Sequence, residues 1–129
     1  MGNTQTIQKL NFINIQNIIK SPSNSYVLIN TLSLTDQKCL IPTTISGLEE
    51  ETIINTHLNN KRKDITIIIY GKNCNDNTIT HKYSQLQSLG FINISIYLGG
   101  LFEWLLLQDI YGSGEFPTTS LQLDILKYK

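Results

Sequence analysis

Several residue types are scarce in this chain of 129 residues. It has no alanine, one valine, one arginine, two cysteines, three prolines and one tryptophan. Basic and acidic residues number ten each, so the formal net charge is zero. A neutral chain creates no net field that would draw it to a nucleic acid or to an anionic membrane. We therefore expect no nucleic-acid partner, and we interpret the basic triplet at 61–63 as a solvated loop.

The two cysteines, Cys39 and Cys74, are too few for a disulfide framework. No signal peptide opens the sequence, so we expect reduced thiols and a cytoplasmic location. Apolar runs are short as well, and Ile65–Tyr70 is far below the length that crosses a bilayer. These features argue against a secreted disulfide-rich domain and against a membrane-spanning helix.

The first residues match a lipidation pattern. Gly2 followed by Thr6 fits the N-myristoylation motif, which is short and often arises by chance. A single acyl chain holds a membrane only weakly and reversibly. We therefore expect membrane contact only if Gly2 is acylated.

Apolar periodicity predicts helices that alternate with strands along one domain, residues 1–129. Residues 1–11 are expected to be a flexible N-terminus, and residues 118–129 a C-terminal extension. Five of the six residues in Ile65–Tyr70 are apolar, which is typical of a strand buried on both faces of a parallel sheet. This alternation predicts an α/β sandwich. The predicted helices are Phe12–Lys20, one capped by Ser46 or Gly47 that runs through Glu49-Glu50-Glu51, Thr78–Leu89 and Leu101–Tyr111. The predicted strands are Tyr26–Ile29, an edge segment Leu40–Ile45, Ile65–Tyr70 and Ile92–Tyr97.

A motif near the end of the chain carries a family resemblance. The pattern Leu-Gly-Phe-x-Asn-x5-Gly-Gly-x3-Trp, from Leu89 to Trp104, resembles the closing strand and helix of the rhodanese family. Val27–Asn30 resembles the Leu-Ile-Asp strand end of that family, with Asn30 where aspartate is usual. Leu40–Ile45 resembles its His-Ile-Pro-Gly-Ala segment, and Phe116-Pro117 its closing aromatic-Pro pair. The resemblance implies a three-layer sandwich whose central parallel sheet has about five strands flanked by helices. It also implies structural roles for Gly99, Gly100 and Trp104.

The same resemblance locates the loop that carries chemistry in the family. Rhodanese sulfurtransferases have a nucleophilic cysteine directly after their fourth strand, in a loop whose amides surround the sulfur. Here the strand ends at Tyr70, and that position falls on a glycine. The equivalents of the active loop are Gly71, Lys72, Asn73, Cys74, Asn75, Asp76, Asn77 and Thr78.

Cys74 is the candidate nucleophile of this loop, three residues beyond the family position. Lys72 would help to stabilise a thiolate, whereas Asp76 would raise the pKa of the thiol. The related phosphatases require Cys-x5-Arg, and the sixth residue after Cys74 is Thr80, which argues against phosphatase chemistry. His57 and His81 are isolated from other metal-ligating residues, so we expect neither metal nor cofactor.

The resemblance, together with a glycine at the position of the family's nucleophilic cysteine, indicates a non-catalytic rhodanese-like domain with a protein-interaction or regulatory role. The alternative is a divergent sulfurtransferase that carries a persulfide on Cys74. The predicted helix Leu101–Tyr111 is apolar over more than one face, which a surface helix rarely is. Either the C-terminal segment packs over it through Leu121, Leu123, Ile125 and Leu126, or the surface meets a partner protein or a second copy of the chain.

Overall fold

The computed structural model describes residues 7–21 and 25–129, which form an α/β sandwich around a five-stranded parallel sheet. The strand order is β1-β5-β4-β2-β3. The strands are β1 (Gln8–Leu10), β2 (Tyr26–Asn30), β3 (Thr44–Ile45), β4 (Thr66–Tyr70) and β5 (Asn93–Tyr97). The helices are α1 (Phe12–Lys20), α2 (Glu50–Asn59), α3 (Thr78–Ser88) and α4 (Gly100–Tyr111), with 3-10 turns at Leu34–Asp36 and Ile125–Tyr128.

The central strand β4 is buried on both sides, as its isoleucine run predicts. Ile67 pairs with Val27 of β2 and with Ile94 of β5. Side chains alternate across a strand, so Ile68 points to one core and its neighbours Ile67 and Ile69 to the other. Buried β-branched residues therefore fill both faces of the sheet.

Helices cover the two faces in pairs, which gives three layers. On one face α1 and α4 contribute Ile15, Leu101 and Trp104 to the core. On the other face α2 and α3 contribute Ile54 and Leu86. The three-layer architecture with a central parallel sheet of five strands, expected from the sequence, is confirmed.

The N-terminus corrects one expectation. Residues 1–11 were expected to be flexible, but Gln8–Leu10 form edge strand β1, which pairs with β5. The Asn11 side chain then accepts a hydrogen bond from the Asn14 amide and begins α1. Three residues, two of them polar, are too few for an alternation pattern to predict. Gly2 and the break at Pro22–Asn24 lie outside the described residues.

The segment Leu40–Ile45 is less regular than expected, since only Thr44–Ile45 form an edge strand. Leu40 and Ile41 are nevertheless buried in the core. Pro42 lacks the amide that a strand needs, and Thr43 has a positive φ of 71°. Both features shorten the strand at its start.

The residues after Thr118 are part of the folded structure. The Thr119 amide donates to the Leu40 carbonyl at 2.8 Å, and the Leu40 amide donates to Thr119 Oγ1 at 3.0 Å. Tyr128 is buried in the core beside α4. Among the residues that the structure describes, no helix is long and apolar enough to span a membrane.

Candidate active loop

The loop at 71–77 follows β4 at the carboxyl edge of the sheet and leads into α3. Its first residues are held by the beginning of α4: the Leu101 amide donates to the Gly71 carbonyl at 2.9 Å, and the Phe102 amide donates to the Lys72 carbonyl at 2.8 Å. The loop and the start of α4 therefore form one hydrogen-bonded unit.

Gly100 makes this close approach possible. Its φ is +68°, in the region that favours glycine, and a Cβ there would lie 2.7 Å from the Gly71 carbonyl oxygen. The neighbouring Gly99 leaves room for a carboxylate, because a Cβ there would lie 2.3 Å from Glu103 Oε1. That same oxygen accepts a 2.7 Å hydrogen bond from the Tyr97 hydroxyl. Burial, together with the Glu103 carboxylate, raises the pKa of Tyr97.

The carboxylate of Asp76 takes up the donors at the start of α3. Its Oδ2 accepts from the Lys72 amide at 3.0 Å, and its Oδ1 accepts from the Thr78 amide at 3.0 Å and from Thr78 Oγ1 at 2.6 Å. Burial by itself would raise the pKa of Asp76, but these hydrogen bonds and the Lys72 charge outweigh it and lower the pKa. The loop thus surrounds an ionised carboxylate.

Gly71, at the position that the resemblance gives to the nucleophile, is buried and has no space for a side chain. A Cβ at this residue would lie 2.4 Å from Asp76 Oδ2 and 2.7 Å from Thr31 Oγ1. Real Cβ atoms do not approach so closely. The carboxylate therefore occupies space that a cysteine at residue 71 would need.

Cys74 lies apart from this position. It is a free, exposed thiol, whereas Cys39 is free and buried. The preceding Asn73 fixes the backbone on either side: its Oδ1 accepts from the Asn75 amide at 2.8 Å, and its Nδ2 donates to the Tyr128 carbonyl at 2.8 Å. The structure thus brings Gly71, Asp76 and Thr78 together and leaves Cys74 at the surface.

The remaining loop residues have modest roles. Lys72 contributes its backbone amide to the Asp76 carboxylate, and its side chain is exposed. Asn75 and Asn77 are exposed too, and Asn77, although it precedes the helix, makes no capping hydrogen bond. Asp76 is the residue that caps α3.

Asn30 lies at the position where the family resemblance predicts an aspartate, and it pairs with the neutral amide of Gln37. The buried Asn30 donates to Gln37 Oε1 at 3.0 Å and accepts from Gln37 Nε2 at 2.8 Å. Asn30 Oδ1 also accepts from the Leu32 amide at 3.0 Å. This exchange of hydrogen bonds anchors the end of β2 without a charge.

Trp104 packs in the core on the α1/α4 face of the sheet. Its side chain is fully buried, and Nε1 donates to the Pro117 carbonyl at 2.8 Å. The indole packs edge-on against Tyr97 and Phe116, with ring centroids 6.2 Å and 5.0 Å away. It thereby joins β5, α4 and the segment after α4.

Two residues that contact the loop were not predicted from the sequence. Thr31, after β2, reaches the loop: its hydroxyl oxygen lies within hydrogen-bond distance of Thr78 Oγ1, at 2.7 Å. Strand β2 pairs in parallel with β4, and the carboxyl ends of parallel strands lie at the same edge of the sheet. Thr31, which follows β2, therefore lies beside the loop that follows β4. Tyr128 is far away in sequence, and no local pattern indicates its contact with Asn73.

The histidines remain separate from the loop chemistry. Burial and the nearby Arg62 charge lower the pKa of His57, and its Nδ1 is buried without a hydrogen-bond partner. Within residues 7–21 and 25–129, no group of three or more His, Cys, Asp or Glu side chains is arranged to hold a metal ion.

Comparisons with known proteins identify the fold. No protein-family model matches the chain, and no curated protein matches its sequence. Solved structures do match. The rhodanese-like domain of the Alr3790 protein from Anabaena is 18% identical, with 90% of this chain and 81% of that chain covered and a TM-score of 0.62.

Two further structures agree. The single-domain sulfurtransferase RDL2 of Saccharomyces cerevisiae is 21% identical, covers 89% of this chain and 99% of that chain, and has a TM-score of 0.58. The BH2092 protein of Bacillus halodurans is 22% identical, with 77% and 72% covered and a TM-score of 0.63. The chain has the rhodanese-like fold, and some of the proteins that share it are sulfurtransferases.

Proposed function

We propose that this chain is a non-catalytic rhodanese-like domain with a protein-interaction or regulatory role in the cytoplasm. One observation carries the proposal: the position of the family nucleophile is Gly71, and the space beside it holds the Asp76 carboxylate. A thiolate at this place would face a fixed negative charge and would find the Lys72 and Thr78 amides already engaged.

The alternative is a divergent sulfurtransferase in which Cys74 carries the persulfide. Its exposure and its position in the same loop favour it. Against it, no hydrogen bond among the described residues reaches the Cys74 sulfur, and reactive thiolates depend on contacts that stabilise the negative charge. The first proposal therefore has the stronger support.

An assay of sulfur transfer from thiosulfate to cyanide separates the two. We expect wild type to form no more thiocyanate than Cys74→Ser, and intact mass after thiosulfate treatment to show no added sulfur atom. Cys39→Ser is the matched control, because it removes the buried thiol instead. Turnover and a sulfur adduct that persist in Cys39→Ser and vanish in Cys74→Ser would replace our proposal with the alternative.

An apolar surface supports the interaction role. Along α4, Leu106 is 40% exposed, Ile110 68% and Tyr111 64%. The segment after Thr118 packs on α4 through Ile125 and Tyr128 without covering these residues, and its own Leu121, Leu123 and Leu126 are exposed. Leu106 and Ile110 are four residues apart and therefore neighbours on the helix surface, and exposed apolar surface of this kind marks interaction sites. The partner is either an unidentified protein or a second copy of the chain.

Light scattering over a range of concentrations tests self-association. We expect association that Ile110→Glu abolishes. Leu48→Glu is the matched control, because Leu48 is equally apolar and highly exposed but precedes α2, the helix that packs on the other face of the sheet. A strict monomer at every concentration would remove the second copy as the partner, and association that both variants weaken equally would show that the α4 surface is not where the copies meet.

A further inference from the structure

We infer that the Asp76 carboxylate is a permanent internal ligand of the loop, which fills the place of a side chain at residue 71 and uses the donors that would otherwise hold an anion. The inference rests on the proposed function and extends it, because it states which side chain stabilises a loop that lacks the family's nucleophile. It follows from two observations, the hydrogen bonds of Asp76 and the space around Gly71.

Both oxygens of the Asp76 carboxylate accept hydrogen bonds from the loop and from the start of α3. Oδ2 meets the Lys72 amide on one side of the loop, and Oδ1 meets the amide and the hydroxyl of Thr78 on the other. Hydrogen bonds to an ionised carboxylate are the stronger kind. The carboxylate therefore links the beginning of the loop to the beginning of α3.

The space around Gly71 shows that this arrangement and a side chain at residue 71 compete. A Cβ would approach Asp76 Oδ2 to 2.4 Å, which requires the carboxylate to move and to leave its donors. The φ of Gly71 is outside the positive range that favours glycine. The backbone would accept an alanine, so the cost of a side chain arises from the contacts with Asp76 and Thr31.

A double-mutant cycle measures this competition. We expect Gly71→Ala to lower the Tm of wild type by about 5 °C or more, and to lower the Tm of Asp76→Ala by less than about half that amount. Gly114→Ala is the matched control, because no atom lies within 4 Å of its Cβ position and its φ is not positive. Should Asp76→Ala fail to fold, Asp76→Ser replaces it in the cycle.

A second measurement separates an anion ligand from an ordinary packing contact. Sodium formate supplies a free carboxylate, and sodium chloride at equal ionic strength is its control. We expect formate to raise the Tm of Asp76→Ala, because only that variant offers the vacant donors of Lys72 and Thr78, and to leave wild type unchanged. Asp109→Ala, which removes an exposed carboxylate from α4, should behave as wild type.

The outcomes are distinct. Equal costs of Gly71→Ala in both backgrounds would overturn the inference, and so would a formate response that is absent from Asp76→Ala or equal in wild type. Either result would leave the proposed lack of sulfur transfer untouched. Conversely, thiosulfate turnover through Cys74 would overturn the proposed function and leave the cycle standing.

Discussion

Replacement of Trp104 by alanine should strongly destabilise the domain. The indole is fully buried between Tyr97 and Phe116, and truncation of a buried Trp typically costs about 3–5 kcal/mol. Domains of ordinary stability have only about 5–15 kcal/mol in total. For a chain of this length, we therefore expect a fall in Tm of roughly 10–25 °C.

Two further variants divide this loss into its parts. Trp104→Phe keeps most of the aromatic volume but removes the N–H that donates to the Pro117 carbonyl, and should cost about 1–2 kcal/mol. Tyr111→Ala removes another aromatic ring of α4 that lies 6.1 Å from Phe116 but is mostly exposed. This control should change the stability by no more than about 0.5 kcal/mol.

Urea unfolding followed by tryptophan-independent circular dichroism gives the free energy of unfolding for all four proteins. The expected order of stability is wild type, Tyr111→Ala, Trp104→Phe and Trp104→Ala. If Trp104→Ala unfolded within about 1 kcal/mol of wild type, the reasoning from burial and cavity formation would be refuted at this position.

Three other substitutions test separate contacts. Tyr70→Phe should cost about 1–3 kcal/mol in urea unfolding, because it leaves the buried Ile41 amide without the Tyr70 hydroxyl, 3.1 Å away; no loss would show that another acceptor replaces it. Gly100→Ala should lower the Tm by several degrees, since it combines a positive φ with a Cβ 2.7 Å from a carbonyl oxygen; an unchanged Tm would contradict the close approach to the loop. The hydrogen bond from Lys127 lowers the pKa of Asp36 below 3.8, so the ionised carboxylate stabilises the fold at neutral pH, and this contribution is lost as the pH falls through that lowered pKa. In a pH series of thermal melts, Asp36→Asn should therefore have a lower Tm than wild type at pH 7 and the same Tm at the acidic end. A difference in Tm that stays constant with pH would contradict this prediction.

Local sequence patterns predicted much of this fold. The spacing of apolar residues placed α1 at Phe12–Lys20, where the structure has it, and the isoleucine run predicted the two-sided burial of β4. The Gly-Gly pair predicted the turn into α4, because Gly100 satisfies a local backbone requirement. These features depend on residues that are neighbours in sequence.

The contacts that define the loop depend instead on residues brought together by the fold. The sequence placed Asp76 at a helix beginning, but its approach to the Gly71 Cβ position requires the curvature of the whole loop. Tyr128 meets Asn73 across 55 positions of sequence. No period or motif encodes such a pairing, so it became visible only in three dimensions.

The distribution of the two cores along the chain affects how the domain assembles during synthesis. Every buried residue of the α2/α3 core has been made once Ile96 is in place, whereas the α1/α4 core draws on Phe116 and finally on Tyr128. Synthesis proceeds from the N-terminus at roughly 5–20 residues per second, so the first core has its complete set of side chains seconds before the second. During that interval the α2/α3 face of the sheet has all its core residues, whereas the α1/α4 face still lacks its last aromatic residues. The α1/α4 side is consequently where a chaperone would find the growing chain uncovered.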